Sequence, residues 1–236
     1  INKLRQMAIF IATEADYKGI RTIWEERFTT ESEYLEVMFS RIMPLCTSYI
    51  YKNEDREILA VASFMPMKFT DSTKNSVLHG WYMFGVATLE KAEGKKLAAS
   101  TISYAINDIS TKNYQFIFER PANQQLNNYY LKLGFSKTLK RAPFAFSTHK
   151  DQCSSGNTAE SCNQKTLPEC ILEQIEINFE RKFIWENPEI LQALIDLGEL
   201  ESHPIEVPDE TYIALNPLNG TSPDSFNNAF FCFPME

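Results

Sequence analysis

Residues 85–99 read GVATLEKAEGKKLAA and join the end of a long apolar strand to the start of a helix. The apolar run of residues 77–89 predicts the strand, and the periodic apolar residues that follow predict a helix ending near Ser110. The first turn of a helix has unpaired backbone N–H groups at the positive end of its dipole, so this join predicts a phosphate or diphosphate site. Lys95 and Lys96 would add positive charge; the other interpretation is an ordinary turn with two solvated lysines.

Upstream of this stretch the apolar period changes from helical to extended. Residues 13–28 and about 30–44 predict two amphipathic helices, the first starting at a capping box of Thr13 and Asp16. Residues 47–52 and 58–69 predict strands that precede the long strand. Because short polar turns separate the three strands, they predict an antiparallel meander.

Downstream, residues 114–118 predict a buried strand, and a helix begins near Pro121 and ends at Gly134. Residues 135–146 predict one more strand. The order ααβββαβαβ predicts an α/β (α+β) layered domain over residues 1–147.

The composition then shifts to a polar linker over residues 148–168, and residues 169–236 form the carboxy-terminal region. This region contains an ambiguous segment at 171–185, a helix at 188–197, short strands at 205–207 and 211–215, and an apolar tail at 229–233. It predicts either a small α/β module or a sheet extension, and we favour the module.

A second constellation lies about thirty residues after the glycine-lysine loop. Asn123 and Tyr130 are seven positions apart and share one face of the predicted helix, and Tyr130 begins the sequence YLKLGF, which ends at Phe135. Taken singly, Tyr130 is typical of a core aromatic residue and Asn123 of a helix cap.

Taken together and in order, the two constellations resemble the GNAT acetyltransferase superfamily. The family's acyl-CoA loop, [QR]-x-x-G-x-[GA], is similar to EGKKLA at residues 93–98, with Glu93 and Lys96 standing where the family has Arg or Gln and Gly. The family's later Asn, Tyr and Gly-Phe match Asn123, Tyr130 and residues 134–135. The resemblance covers about residues 12–146 and implies a GNAT-type mixed central sheet flanked by helices, with a small carboxy-terminal α/β extension.

The resemblance also implies a site for acetyl-CoA in an opening between the long third strand and the strand at 114–118. The pantetheine arm would pair with backbone near residues 86–88, and the diphosphate would lie on residues 94–99. Tyr130 is the expected general acid for the departing thiolate, and Asn123 would position CoA or a water. The implied cofactor-binding residues are Val86, Ala87, Thr88, Gly94, Lys95, Lys96, Leu97, Ala98, Ala99, Asn123 and Tyr130.

The general base is less evident, because residues 81–86 offer no carboxylate. Glu119, at the end of the buried strand, is the first candidate and His79 the second; a water chain is the third route for the proton. The resemblance implies an N-acetyltransferase that transfers acetyl from acetyl-CoA to a primary amine of a small molecule or peptide by direct attack in a ternary complex. The alternatives are a catalytically impaired GNAT scaffold that binds a ligand, and an interaction protein whose phenylalanine-rich tail docks on a partner.

Composition limits the other classes of protein. The formal charge of −8, without a basic block, argues against nucleic-acid binding, and no apolar run reaches the ~18 residues that a bilayer crossing needs. We therefore expect no membrane partner, a cytoplasmic location and a monomer or homodimer. The five cysteines indicate no disulfide framework, although a Cys153–Cys162 bridge is conceivable, and the isolated histidines predict no metal site.

Overall fold

The computed structural model describes residues 9–28, 32–135, 137–140, 166–178, 180–197, 212–226 and 230–231. Nine strands lie in these ranges: β1 Ile9–Ile11, β2 Thr47–Lys52, β3 Ile58–Asp71, β4 Ser76–Thr88, β5 Phe116–Glu119, β6 Lys137–Lys140, β7 Arg181–Trp185, β8 Tyr212–Pro217 and β9 Phe230–Phe231.

The same described ranges contain six α-helices: α1 Tyr17–Arg27, α2 Ser32–Val37, α3 Leu97–Ser110, α4 Gln124–Leu131, α5 Leu167–Asn178 and α6 Pro188–Asp196. A π-helical turn, Met38–Ile42, continues α2, and 3-10 turns occupy Glu14–Asp16, Met43–Leu45, Glu90–Ala92 and Pro223–Phe226. The predicted capping box is confirmed: the Thr13 N–H donates to Asp16 Oδ2 at 3.0 Å.

The strands form one mixed sheet in the order β1-β2-β3-β4-β5-β8-β6. Strands β2, β3 and β4 make the predicted antiparallel meander, and β4 pairs with β5 in parallel. Helix α3 makes the connection between these two strands, as a parallel pair requires a long crossover. The predicted α/β class, with a mixed sheet flanked by helices, is confirmed.

The carboxy-terminal strands join this same sheet. Strand β8 lies between β5 and β6 and is antiparallel to both, and β7 pairs with the second half of β3, from Met67 to Asp71. Strand β9 lies beside β7. The ambiguous segment at 171–185 divides into the end of α5 and all of β7. The linker from 148 to 165, the strand at 205–207 and the Cys153–Cys162 pair lie outside the described residues.

Apolar side chains of β4 alternate between two cores, one on each face of the sheet. Tyr82 and Phe84 belong to the core beneath α1, α2, α5 and α6, whereas Trp81 and Met83 belong to the core beneath α3 and α4. Because alternate residues of a strand point to opposite faces, both faces of β4 are covered. The strand therefore runs through the middle of the molecule, and its carboxyl end carries the candidate site.

Candidate functional site

Strand β4 contains a bulge at Gly85 and Val86, close to its carboxyl end. Val61 pairs with Ala87 and Ser63 pairs with Phe84, so one residue of β3 faces two residues of β4, Gly85 and Val86. Gly85 has φ +58°, in the left-handed region that glycine adopts without a steric penalty. A bulge bends its strand and redirects the residues that follow. Ala87 and Thr88 remain paired with Val61 and Ala60 of β3, so the bulge redirects the end of β4 without detaching it from the sheet.

Helix α1 holds this bulge through Trp24. The indole Nε1 donates a hydrogen bond to the carbonyl oxygen of Gly85 at 3.0 Å, and the indole ring covers the glycine so closely that a Cβ there would clash with it. The Trp24 ring itself packs against Phe39 and Phe84, at centroid distances of 5.2 and 6.0 Å. The position of the bulge is therefore set by packing between α1 and the sheet.

The parallel pairing of β4 and β5 ends where the bulge begins. It runs from Gly80 opposite Phe116 to Met83 opposite Glu119, which is the last residue of β5. Beyond Met83, β4 continues to Thr88, and no described strand pairs with that edge of residues 84–88. A strand edge of this kind presents backbone donors and acceptors that an extended ligand can pair with.

The predicted loop joins β4 to α3 through a 3-10 turn and two left-handed residues. Gly94 has φ +72° and Lys96, the residue before α3, has φ +59°. Lys96 stands at the position where the resembled motif has glycine, so the chain keeps a glycine-like backbone there at a cost of about 1–2 kcal/mol. Lys96 provides no side-chain cap for α3, and the first N–H groups of a helix, here those of residues 97–99, have no partner within the helix.

A cleft of about 510 Å³ lies between the open edge of β4, the α3 amino terminus and α4. It contains most of the cofactor-binding residues predicted from sequence, including Gly94, Lys96 and Tyr130, but not Lys95 or Asn123. The Asn123 side chain instead caps α4, its Oδ1 accepting a hydrogen bond from the Leu126 N–H at 3.2 Å. The cleft is lined by Arg27, Phe28, Val86, Ala87, Thr88, Ala92, Glu93, Gly94, Lys96, Leu97, Ala98, Ala99, Leu126, Tyr129 and Tyr130.

Tyr130 lines this cleft, and the Glu119 carboxyl group is near enough to act on its pKa. Burial, and next the Glu119 carboxyl group, raises the pKa of Tyr130 above its usual range, so its hydroxyl keeps its proton. The Tyr130 ring packs against Phe135 at 5.5 Å, and Gly134, with φ +98°, makes the turn between them. The Gly-Phe pair at residues 134–135 thus holds the Tyr130 ring in place through this turn and this ring contact.

Glu119 lies behind Tyr130 and does not line the cleft. It is only 6% exposed, and its Oε2 has no hydrogen-bond partner among the described residues. Burial raises the pKa of Glu119 to about 8, although the hydrogen bond from Tyr130 and the charge of Arg120 oppose the shift. Tyr130 lines the cleft and acts on the pKa of Glu119, so its hydroxyl is the candidate link between Glu119 and a group in the cleft.

The pKa of Glu119 predicts a pH-dependent stability. Below about pH 4.5 the carboxyl group is neutral in both the folded and unfolded chain. Between that pH and about 8 it ionises only in the unfolded chain, so the free energy of unfolding falls by up to about 1.4 kcal/mol per pH unit. Glu119→Gln removes this loss, and we expect the variant to gain stability over the parent chain as the pH rises from 5 to 8.

Urea unfolding at pH 5, 6.5 and 8 measures this difference. Glu54→Gln, at an exposed glutamate, is the matched control and should follow the parent chain at each pH. A constant difference between Glu119→Gln and the parent chain would contradict the raised pKa.

An ion pair crosses the mouth of the cleft between Arg27, at the end of α1, and Glu93, just before Gly94. Sequence reasoning did not identify Arg27, because nothing in its local pattern distinguishes it from any basic residue at a helix end. Phe28, Leu126 and Tyr129 were missed for the same reason: only the tertiary fold brings them to the cleft.

The other titratable candidates lie elsewhere. His79 pairs with Glu186 at 3.1 Å and does not line the cleft. Cys46 is a free thiol whose pKa is raised by burial. Within the described ranges, no three His, Cys, Asp or Glu side chains form a group that would hold a metal ion. None of the helices described there has the length and apolar character that a bilayer crossing requires.

No family model and no curated protein matches the chain. Among solved structures, it is similar to a probable N-acyltransferase from Enterococcus faecalis, with 14% identity, a TM-score of 0.49 and coverage of 55% of this chain. The chain spans only 32% of the length of that protein.

Two further similar structures contain a cofactor. One is a GNAT-family N-acetyltransferase from Escherichia coli in complex with CoA, at 17% identity and a TM-score of 0.45, with coverage of 54% of this chain and 67% of that one. The other is a predicted acetyltransferase from Clostridium acetobutylicum with acetyl-CoA, at 17% identity and a TM-score of 0.48, with coverage of 59% and 96%.

Proposed function

We propose that this chain is an N-acetyltransferase that transfers acetyl from acetyl-CoA to a primary amine of a small molecule or peptide. The observation that carries the proposal is the single cleft that contains the open edge of β4, the uncapped amides of α3 and the Tyr130 hydroxyl. Each part suits one portion of the cofactor: an extended amide arm, a diphosphate and a thioester.

The fit of the cofactor follows from the chemistry of the lining residues. Backbone of residues 86–88 would pair with the pantetheine amides as an added strand, and the amides of residues 97–99 would bind the diphosphate at the positive end of the α3 dipole. Lys96 adds a cation beside these amides. Bound acetyl-CoA supplies an acetyl group activated as a thioester.

The Tyr130–Glu119 pair would carry the proton. The amine nitrogen forms a bond to the acetyl carbon, the carbon–sulfur bond breaks, and one proton has to move from nitrogen to sulfur. Tyr130 receives the amine proton while passing its own to the Glu119 carboxylate; reversal of this exchange delivers a proton to the sulfur. With a pKa of about 8, Glu119 can both accept and return a proton near neutral pH.

A second candidate function is a GNAT scaffold that binds CoA without transferring acetyl. The observation that favours it is Glu93, a carboxylate at the edge of the proposed diphosphate site. Binding alone does not distinguish the two functions, because both include a cofactor site.

Two measurements on the purified chain test the proposal together. Acetyl-CoA at 100 times its Kd should add about 2.7 kcal/mol to the free energy of unfolding. A panel of primary amines, from polyamines to short peptides, should yield acetylated product and free CoA thiol in equal amounts. Stabilisation without product from any amine would favour the binding scaffold, and no stabilisation at millimolar acetyl-CoA would contradict both functions.

A further inference from the structure

The cationic groups of the cleft come from two separate elements. Among the described residues that line the cleft, Arg27 and Lys96 carry the positive charges and Glu93 carries the one carboxylate. Arg27 is the last residue of α1, and Lys96 immediately precedes α3. The guanidinium and the uncapped helix end therefore face one space.

The Arg27–Glu93 ion pair is partly exposed. The Arg27 side chain is 33% exposed and the Glu93 side chain 52% exposed. Ion pairs between solvent-accessible side chains contribute only about 0–1 kcal/mol, because water and salt screen them. Glu93 can thus give up its partner at little cost and return to water.

A diphosphate is a stronger partner for Arg27 than this carboxylate. Guanidinium presents a planar fork of N–H donors that matches phosphate oxygens, and the diphosphate would also bind to the α3 amides at the same time. We propose that Arg27 binds the diphosphate of CoA, and that Glu93 holds the guanidinium at the mouth of the cleft until the phosphate oxygens replace it. The inference rests on the proposed function and deepens it, since it assigns the phosphate-binding arginine to α1 rather than to the loop before α3.

This arrangement gives the two charges opposite effects on affinity. Arg27→Gln removes charged hydrogen bonds to the diphosphate, and we expect the Kd for CoA to rise about tenfold or more. Glu93→Gln removes a competitor for Arg27, and we expect the Kd for CoA to fall about two- to fivefold. Pantetheine has no diphosphate, so neither substitution should change its Kd.

Isothermal titration of CoA and pantetheine into the full chain and its variants tests the assignment. Arg21→Gln is the matched control, because Arg21 lies on the same helix but pairs with Glu25 and Glu36 at 2.9 and 3.0 Å, away from the cleft. A CoA-specific loss in Arg27→Gln, a gain in Glu93→Gln and no change in Arg21→Gln would support the inference.

Two other results separate its failure from that of the proposed function. Tight CoA binding by the parent chain, with an unchanged Kd in Arg27→Gln or a raised Kd in Glu93→Gln, would overturn the inference and leave the proposed function standing. No CoA binding by the parent chain would overturn both.

Discussion

Replacing Tyr130 with phenylalanine should lower kcat for acetyl transfer about a hundredfold, the smaller end of the range for loss of a positioned proton donor. Tyr130 lines the cleft and Glu119 does not, so in the proposed function the Tyr130 hydroxyl passes protons to and from Glu119. Phenylalanine keeps the ring and its packing against Phe135. We therefore expect the Kd for acetyl-CoA to change little.

Steady-state kinetics with a saturating amine, together with a titration of acetyl-CoA, separates the two quantities. Tyr104→Phe is the control, since Tyr104 lies on α3, packs against Tyr49 and does not line the cleft. An unchanged kcat in Tyr130→Phe would exclude the tyrosine from proton transfer. A loss of cofactor affinity with an unchanged kcat would assign it a binding role instead.

Replacing Gly85 with alanine should destabilise the chain by about 2–5 kcal/mol, the sum of the costs of a left-handed residue and an overpacked side chain. The backbone at Gly85 has φ +58°, and the added Cβ would clash with the Trp24 ring. The ring cannot move away freely, because its Nε1 donates to the Gly85 carbonyl and its faces contact Phe39 and Phe84. Relief of the clash has to shift the bulge, so affinity for acetyl-CoA should fall as well.

Gly220→Ala separates the cost of the left-handed backbone from the cost of the clash with Trp24. Gly220 has φ +76°, and a Cβ there meets no atom within 4 Å, so this variant should lose only the cost of a left-handed alanine, about 1–2 kcal/mol. Urea unfolding of both variants gives the comparison. Equal losses would mean that the Trp24 contact does not constrain the bulge, and an unchanged cofactor affinity in Gly85→Ala would separate the bulge from the site.

The sequence predicts many of the helices and strands because interactions between neighbouring residues of the chain determine where these elements begin and end. The apolar-rich segments at 47–52 and 58–69, separated by a polar turn, predict two strands, and the Thr13–Asp16 spacing predicts the start of the first helix, since caps and apolar patterns depend on neighbours in the chain. The segment at 171–185 shows both helical and strand periodicity, because it contains the end of a helix followed by a strand. Its pattern therefore could not assign one structure to the whole.

The features that shape the site depend on contacts between distant residues. Trp24 meets Gly85 across 61 positions, and Arg27 meets Glu93 across 66; neither pairing leaves a local signal. Strand β8 lies between β5 and β6 although almost a hundred residues separate it from β5. The burial that raises the pKa of Glu119 also arises from tertiary packing, so the sequence could indicate this residue as a candidate but not its place behind Tyr130.

A crystal structure of the chain with CoA shows directly whether the cleft at the end of β4 binds the acetyl donor. We expect diphosphate density at the amides of residues 97–99 and pantetheine density along residues 86–88, with the sulfur near the Tyr130 hydroxyl. Density for CoA at any other surface, or an unchanged cleft at saturating CoA, would contradict this expectation.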